Sequence, residues 1–190
     1  MSETTWTIIE KDKFFVGICL SIKGVYSNTI PYSSKVVVAE KIAKYFPEGK
    51  IVDAHGSQRL NDLANDVAEL ILQRWLGRDY NLTYEIPIDF TGYSQNQIQV
   101  LKTCGQVPYG TTLSYGKLAS KSGFDGAARF AGTVMAKTRF PIIYPCHRIT
   151  RASSLGKYGD DPDMKRRLLE REGIDTATLF KKKRRIKTPL

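Results

Sequence analysis

Ser114-Tyr115-Gly116-Lys117-Leu118-Ala119-Ser120-Lys121, followed after Gly123 by Asp125-Gly126-Ala127-Ala128-Arg129-Phe130-Ala131-Gly132-Thr133-Val134-Met135-Ala136-Lys137, is the stretch that decides the fold. Ser114 can cap a helix over 115–121 that stops at Gly123, and Asp125 can cap a second over 126–137, closed before Pro141. Two short helices joined by a glycine-containing turn of about four residues have the spacing of a helix-turn-helix, although many helical hairpins share it and bind nothing. The second helix carries the small residues Ala127, Ala128, Ala131, Gly132 and Ala136 and one early arginine, Arg129. Such a surface lets another backbone come close, either a neighbouring helix or a groove of DNA.

Downstream lies Pro145-Cys146-His147-Arg148, preceded by the apolar run Pro141-Ile142-Ile143-Tyr144. A thiol beside an imidazole and a guanidinium is expected to be held towards thiolate, the nucleophilic form. The chain has two histidines and three cysteines, so their adjacency calls for an explanation. Cys19, Cys104 and Cys146 contain no CxxC spacing, and an odd, sparse set argues against a disulfide framework. With so few histidines no metal or cofactor is expected. Cys19 and Cys104 read as packing thiols and His55 as a loop residue without chemistry.

Upstream the texture is mixed. Thr5–Glu10 and Phe14–Leu20 read as strands of a hairpin turning at Asp12. Ser34 can cap a helix through 37–45 stopped by Pro47, and apolar residues from Leu60 to Trp75 recur at helical spacing over roughly 59–75. Residues 82–90 look β-like, with Pro87 better suited to an edge or a linker. Ser94 can cap a helix through Ile98, Val100, Leu101 and Cys104, ended by Gly105 and Pro108. The expected fold class is α+β: a small N-terminal α/β domain over 1–85, and a mostly helical domain over 86–176 containing the helix-turn-helix. A basic tail over 177–190 completes the chain.

The chain of 190 residues is 42% hydrophobic, enough to build a core, and carries a formal net charge of +10. Such an excess favours phosphate-rich partners, because each neutralised phosphate releases counterions. Six of the positive charges fall in Lys181–Lys187, a solvated end or else a nucleic-acid arm or targeting signal. No apolar run reaches membrane-spanning length and the first residues lack the blocks of a signal peptide, so an intracellular protein with no membrane partner is expected.

The ordered set Pro108-Tyr109-Gly110, Ser114–Ala119, Ala127-Ala128-Arg129, Pro141–Ile149, Leu155-Gly156-Lys157-Tyr158 and Lys165–Gly173 resembles the O6-alkylguanine-DNA alkyltransferases. The likeness is dense from about 86 to 173; the part before it fits that family's ribonuclease H-like N-terminal domain in length and pattern but carries no comparable motif. The resemblance implies a monomeric repair protein, cytoplasmic or, in a eukaryote, nuclear, that binds double-stranded DNA through the minor groove. It implies that Cys146 takes the alkyl group from a flipped O6-alkylguanine once and irreversibly. His147 matches the general base acting through a water, and Glu172 the carboxylate that orients it. Tyr115 matches the tyrosine that protonates the departing purine and helps rotate the nucleotide, and Arg129 the side chain that fills the vacated stack. Tyr115, Ala127, Ala128, Arg129 and Gly132 fall at the DNA face; Met135, Pro141, Tyr158 and Gly159 fall at the guanine pocket. Three departures stand out. Thr138-Arg139 replaces the asparagine usual in the hinge before the active-site strand, implying a looser or differently wired hinge. Gly159 stands where some relatives have serine, and Asn96 where a phenylalanine is common. Taken alone, Met135 and Pro141 could equally be core residues and Glu172 a solvated helix end.

Other classes compatible with parts of the pattern are a non-catalytic damage binder and a helix-turn-helix alkylation sensor. The first usually lacks the cysteine, and the second needs a dimer interface or effector domain that is not apparent. A Cys-His hydrolase is disfavoured, because no Gly-rich oxyanion turn flanks Cys146.

Overall fold

A computed structural model describes residues 4–180 except 83, 160 and 162; the basic run at 181–187 lies outside the described residues. The N-terminal part is a four-stranded sheet built from β1 (Thr5–Lys11), β2 (Phe14–Ser21), β3 (Gly24–Asn28) and β4 (Lys50–Ile51), in the order β3-β2-β1-β4. The β1–β2 hairpin pairs from Thr5↔Leu20 to Lys11↔Phe14 and turns at Asp12, whose φ of 52° is the left-handed conformation that aspartate tolerates better than most residues. β4 runs parallel to β1.

The central strand β2 is covered on both faces, which is why it reads as an almost continuous apolar run. Val16, Ile18 and Leu20 pack with α2 (Gln58–Trp75), while Cys19 and the neighbouring Trp6 pack with Val38 and Ile42 of α1 (Lys35–Tyr45). Gly17 admits α1 closely: a Cβ there would sit 3.1 Å from both Val38 and Ile42. Ser57 caps α2 by accepting from the Leu60 N–H; Ser34 has the extended cap backbone but makes no such bond.

Two short strands escape the pattern reading, β3 because Gly24, Ser27 and Asn28 resemble a turn, β4 because it has two residues. The described residues of the stretch 82–90 are not a strand of the sheet. They form a linker with one bridge, Val25↔Ile88, in which the Val25 N–H donates to Pro87 O at 2.8 Å. Gly24 is required there, since a Cβ would fall 2.1 Å from that same carbonyl.

The C-terminal part holds α3 (Gln95–Gly105), α4 (Tyr115–Lys121), α5 (Ala128–Ala136) and α6 (Met164–Arg171), with β5 (Leu113–Ser114) pairing in parallel with β6 (Ile149–Thr150). A full capping box joins Ser94 and Gln97 at the head of α3. Asp125 does not cap α5: it accepts from the Ser120 hydroxyl instead, and α5 begins at Ala128 without a side-chain cap. The α4–α5 connection therefore spans 122–127, longer than four residues, with Gly123 and Gly126 both at positive φ. The larger core cluster is continuous from β2 through α2 to α3, α4, α5 and α6. No helix among the described residues is long and apolar enough to cross a membrane.

Candidate active site

Cys146 opens a single 3-10 turn, Cys146–Arg148, between the apolar run and β6. The short β5–β6 pairing brings the start of α4, and so Tyr115, alongside this turn. Tyr115, Arg129, Gly132, Met135, Thr138, Pro141, Cys146, Tyr158 and Gly159 all line one cleft of about 1170 Å³, whose far wall is formed by β3 and α1. Ala127 and Ala128 lie at the head of α5 and are not part of that lining. Cys146 is only 6% exposed.

His147 and Glu172 are not in the cleft but directly behind it, both buried. His147 Nε2 meets Glu172 Oε1 at 2.7 Å. A carboxylate can only accept, so Nε2 carries the proton and Nδ1 is left as the free basic nitrogen; it is buried without a hydrogen-bond partner. Burial lowers the imidazole pKa, with Glu172 opposing, which favours a neutral ring. Glu172 sits at the C-terminal cap of α6 and its carboxyl is also gripped by Arg148, with Nε to Oε2 at 2.9 Å and Nη2 to Oε1 at 3.0 Å. The Gly110 N–H adds a bond at 3.3 Å. Burial alone would raise this carboxyl, but the bonds from His147 and Arg148 outweigh it and hold the pKa below the usual carboxylate range.

Arg148 thus faces away from the thiol, into Glu172 and the carbonyl of Val107 at 2.7 Å. The expectation that its guanidinium favours a resting thiolate is overturned. Burial dominates at Cys146 and pushes its pKa up to about 11, so the resting group is a thiol. What offsets burial is the neighbouring Tyr158 hydroxyl, then the charge of Lys165, then the backbone N–H groups of Cys146 and His147. The Tyr158 hydroxyl is buried and makes no hydrogen bond of proper geometry.

Lys165 is the functional candidate that sequence reading missed. In the run Lys165-Arg166-Arg167 it looks like part of a solvated helix face, yet it is 1% exposed. Its ammonium donates to Ile149 O and lies 5.6 Å from the centre of the Tyr115 ring. Burial brings its pKa down to about 8. The only sequence signal is its place three residues before the buried pair Leu168-Leu169, on the inward stripe of α6.

Cys104 is fully buried in α3 and Cys19 in β2, and burial raises both thiols. His55 is buried in a loop, its Nδ1 2.9 Å from the Thr5 hydroxyl. Among the described residues no group of three or more metal-ligating side chains occurs.

Residues 95–174 match the family described as 6-O-methylguanine DNA methyltransferase, DNA binding domain. A methylated-DNA–protein-cysteine methyltransferase of Methanocaldococcus vulcanius is 29% identical over 171 residues, which are 88% of this chain and 96% of that protein. The protein of the same name from Methanopyrus kandleri is 35% identical over 121 residues, 63% of this chain and 86% of that one. The crystal structure of Mycobacterium tuberculosis O6-methylguanine methyltransferase shares the fold with a TM-score of 0.64 at 24% identity, over 90% of this chain and 93% of the other.

Proposed function

The chain belongs to the methylated-DNA–protein-cysteine methyltransferases, and from that premise we propose that it repairs DNA by moving the alkyl group of O6-alkylguanine onto Cys146. The carrying observation is the buried order of groups: a cleft-lining thiol with a histidine–carboxylate pair behind it. The thiol proton passes to His147 Nδ1 through a water, and Glu172 stabilises the imidazolium that results. The sulfur then attacks the saturated alkyl carbon; a C–S bond forms, the C–O6 bond breaks, and its electron pair stays on the purine. Tyr115 donates a proton to the leaving base and takes one back from solvent, so neutral guanine departs. A thioether does not revert, and each molecule acts once.

Because the resting thiol is protonated, the reaction waits for a substrate that brings the carbon into line with the sulfur. A guanine within the stack cannot present O6 to a buried sulfur, so the nucleotide must be flipped, at a cost of a few kcal/mol. We read α4 and α5 as a helix-turn-helix lying in the minor groove. Arg129 is exposed at the first turn of α5, where it can occupy the vacated stack. Ala127, Ala128 and Gly132 are small enough for close approach of the backbone. Met135, Pro141, Tyr158 and Gly159 form the guanine pocket on this reading, and Thr138 the hinge. The protein acts as a monomer inside the cell, in the nucleus if the source is eukaryotic. Residues 1–85 form a ribonuclease H-like domain, 86–176 the DNA-binding and acceptor domain, and 177–190 a basic tail.

Incubation with a duplex carrying O6-methylguanine, followed by intact-mass and peptide mapping, tests the reading. One added methylene on Cys146, saturating at one per protein and abolished in Cys146→Ala with duplex binding retained, is the expected outcome. Multiple turnovers, or no adduct, would refute it.

A further inference from the structure

Segment 137–143 joins the end of α5 to the acceptor turn, and it is held largely from elsewhere in the chain. Tyr93 receives the Arg139 N–H at 3.0 Å and donates to Lys137 O at 3.2 Å. Arg139 O accepts from the Asn28 N–H at 3.0 Å and from the Ser27 hydroxyl at 3.1 Å. The Asn28 side-chain amide donates to Pro141 O at 2.9 Å, bridging 113 residues of sequence. Arg74, near the end of α2, donates to Ile143 O at 3.1 Å. Between these anchors Ile142, fully buried, holds a φ of 72°. A β-branched residue adopts that conformation only where its surroundings over-determine it.

Thr138 contributes little to this wiring. Its hydroxyl accepts a weak local bond from the Phe140 N–H at 3.3 Å and also meets the Tyr93 hydroxyl. Asn28, by contrast, keeps its Oδ1 buried without a partner while both bonds of its Nδ2 are made, to Pro141 O and to Thr29 O.

We propose that Asn28, reaching in from β3, is a positioning residue for alkyl transfer. With Ser27 it sets the angle between the Arg129 helix and the Cys146 turn, standing in for the asparagine that the family pattern places at 138. The N-terminal sheet is then a splint for the reaction geometry. This rests on the alkyl-transfer reading, since only duplex repair requires α5 and Cys146 to act on one nucleotide.

The test is single-turnover transfer from an O6-methylguanine duplex, with melting temperature and the rate of Cys146 modification by iodoacetamide measured on each variant. Wild-type transfer comes first: an inert wild type refutes the alkyl-transfer reading and leaves nothing to position. Given an active wild type, Asn28→Ala should slow transfer at saturating duplex by about tenfold or more, because misplacement of about 1 Å can cost ~100-fold. The half-saturating duplex concentration and the iodoacetamide rate should each stay within about twofold. Adding Thr138→Asn to Asn28→Ala should restore most of the rate by returning an amide donor to the hinge. Ser27→Ala, which removes one of the two bonds to Arg139 O, should give a smaller loss of the same kind and serves if Asn28→Ala does not fold. A rate for Asn28→Ala, or for Ser27→Ala if Asn28→Ala does not fold, within twofold of wild type overturns the proposal. So does a loss that Thr138→Asn fails to restore, or one matched by an equal loss of iodoacetamide reactivity.

Discussion

Two sets of charged side chains flank Cys146, one in water and one in the core. Arg129, Lys137, Arg151 and Lys157 are exposed and line the cleft. Arg148 and Lys165 lie behind the thiol at 7% and 1% exposure, with Glu172 at 5%. An exposed cation costs little to keep and little to lose. A buried one must be satisfied or it destabilises the fold, and each here has found oxygen: Arg148 takes Glu172 and Val107 O, Lys165 takes Ile149 O. On the proposed reading the outer set is free to meet the duplex, whereas the inner set couples stability to the protonation of the reacting groups. Substitutions should separate these two kinds of behaviour.

The largest stability effect is expected at Glu172. Glu172→Gln leaves Arg148 buried without its carboxylate, a loss of about 3–5 kcal/mol. It should also slow transfer, because His147 loses the charge that stabilises its protonated form. The wild-type carboxyl titrates below its unfolded value. Its contribution is thus present above the unfolded pKa and is lost as pH falls through the folded one. Chemical denaturation across the acid range should show this loss in wild type and a flatter profile in Glu172→Gln. A stability change under 1 kcal/mol would mean that the inner set is not coupled as described.

Lys165→Met sharpens the comparison with a smaller effect of opposite sign. A lysine whose folded pKa is drawn from 10.5 down to about 8 binds fewer protons when folded, so stability should rise with pH between those values in wild type. Methionine removes both the slope and the cost of burying the charge, offset by the lost bond to Ile149 O. The net expectation near pH 7 is a gain of about 1–2 kcal/mol. Transfer should slow, since the Lys165 charge favours the Cys146 thiolate. A variant that is both less stable and equally fast would contradict the assignment.

How much of this was legible differs in the same way. The strands β1 and β2, helix α2 and the Ser94 and Ser114 caps follow from periodicity and capping, which are local signals. Cys146, His147 and Arg129 stand out because their motifs are local too, and Tyr115 through the family resemblance. Strand β3 was hidden by residues that usually make turns, and the Asp125 cap failed because Ser120 competes for the same carboxylate. Lys165 could not be told from its solvated neighbours Arg166 and Arg167 without knowing which stripe of α6 faces inward. Nothing local signals that Asn28 touches Pro141. Where charge is buried, or where contacts span a hundred residues, packing decides and the linear pattern is silent.

Arg129→Ala should have the smallest effect on the fold and is the cleanest way to break the comparison. The side chain is exposed at the start of α5, so stability should change by no more than about 0.5 kcal/mol. Iodoacetamide should modify Cys146 at the wild-type rate, and so should free O6-methylguanine base react as in wild type, because neither needs a nucleotide turned out of a stack. Transfer from duplex DNA should nonetheless fall steeply, as the few kcal/mol of unstacking are no longer offset by a group filling the gap. The ratio of duplex to free-base rates isolates that step. If both rates fell together, Arg129 would belong with the inner set, and the division between recognising and reacting charges would not hold.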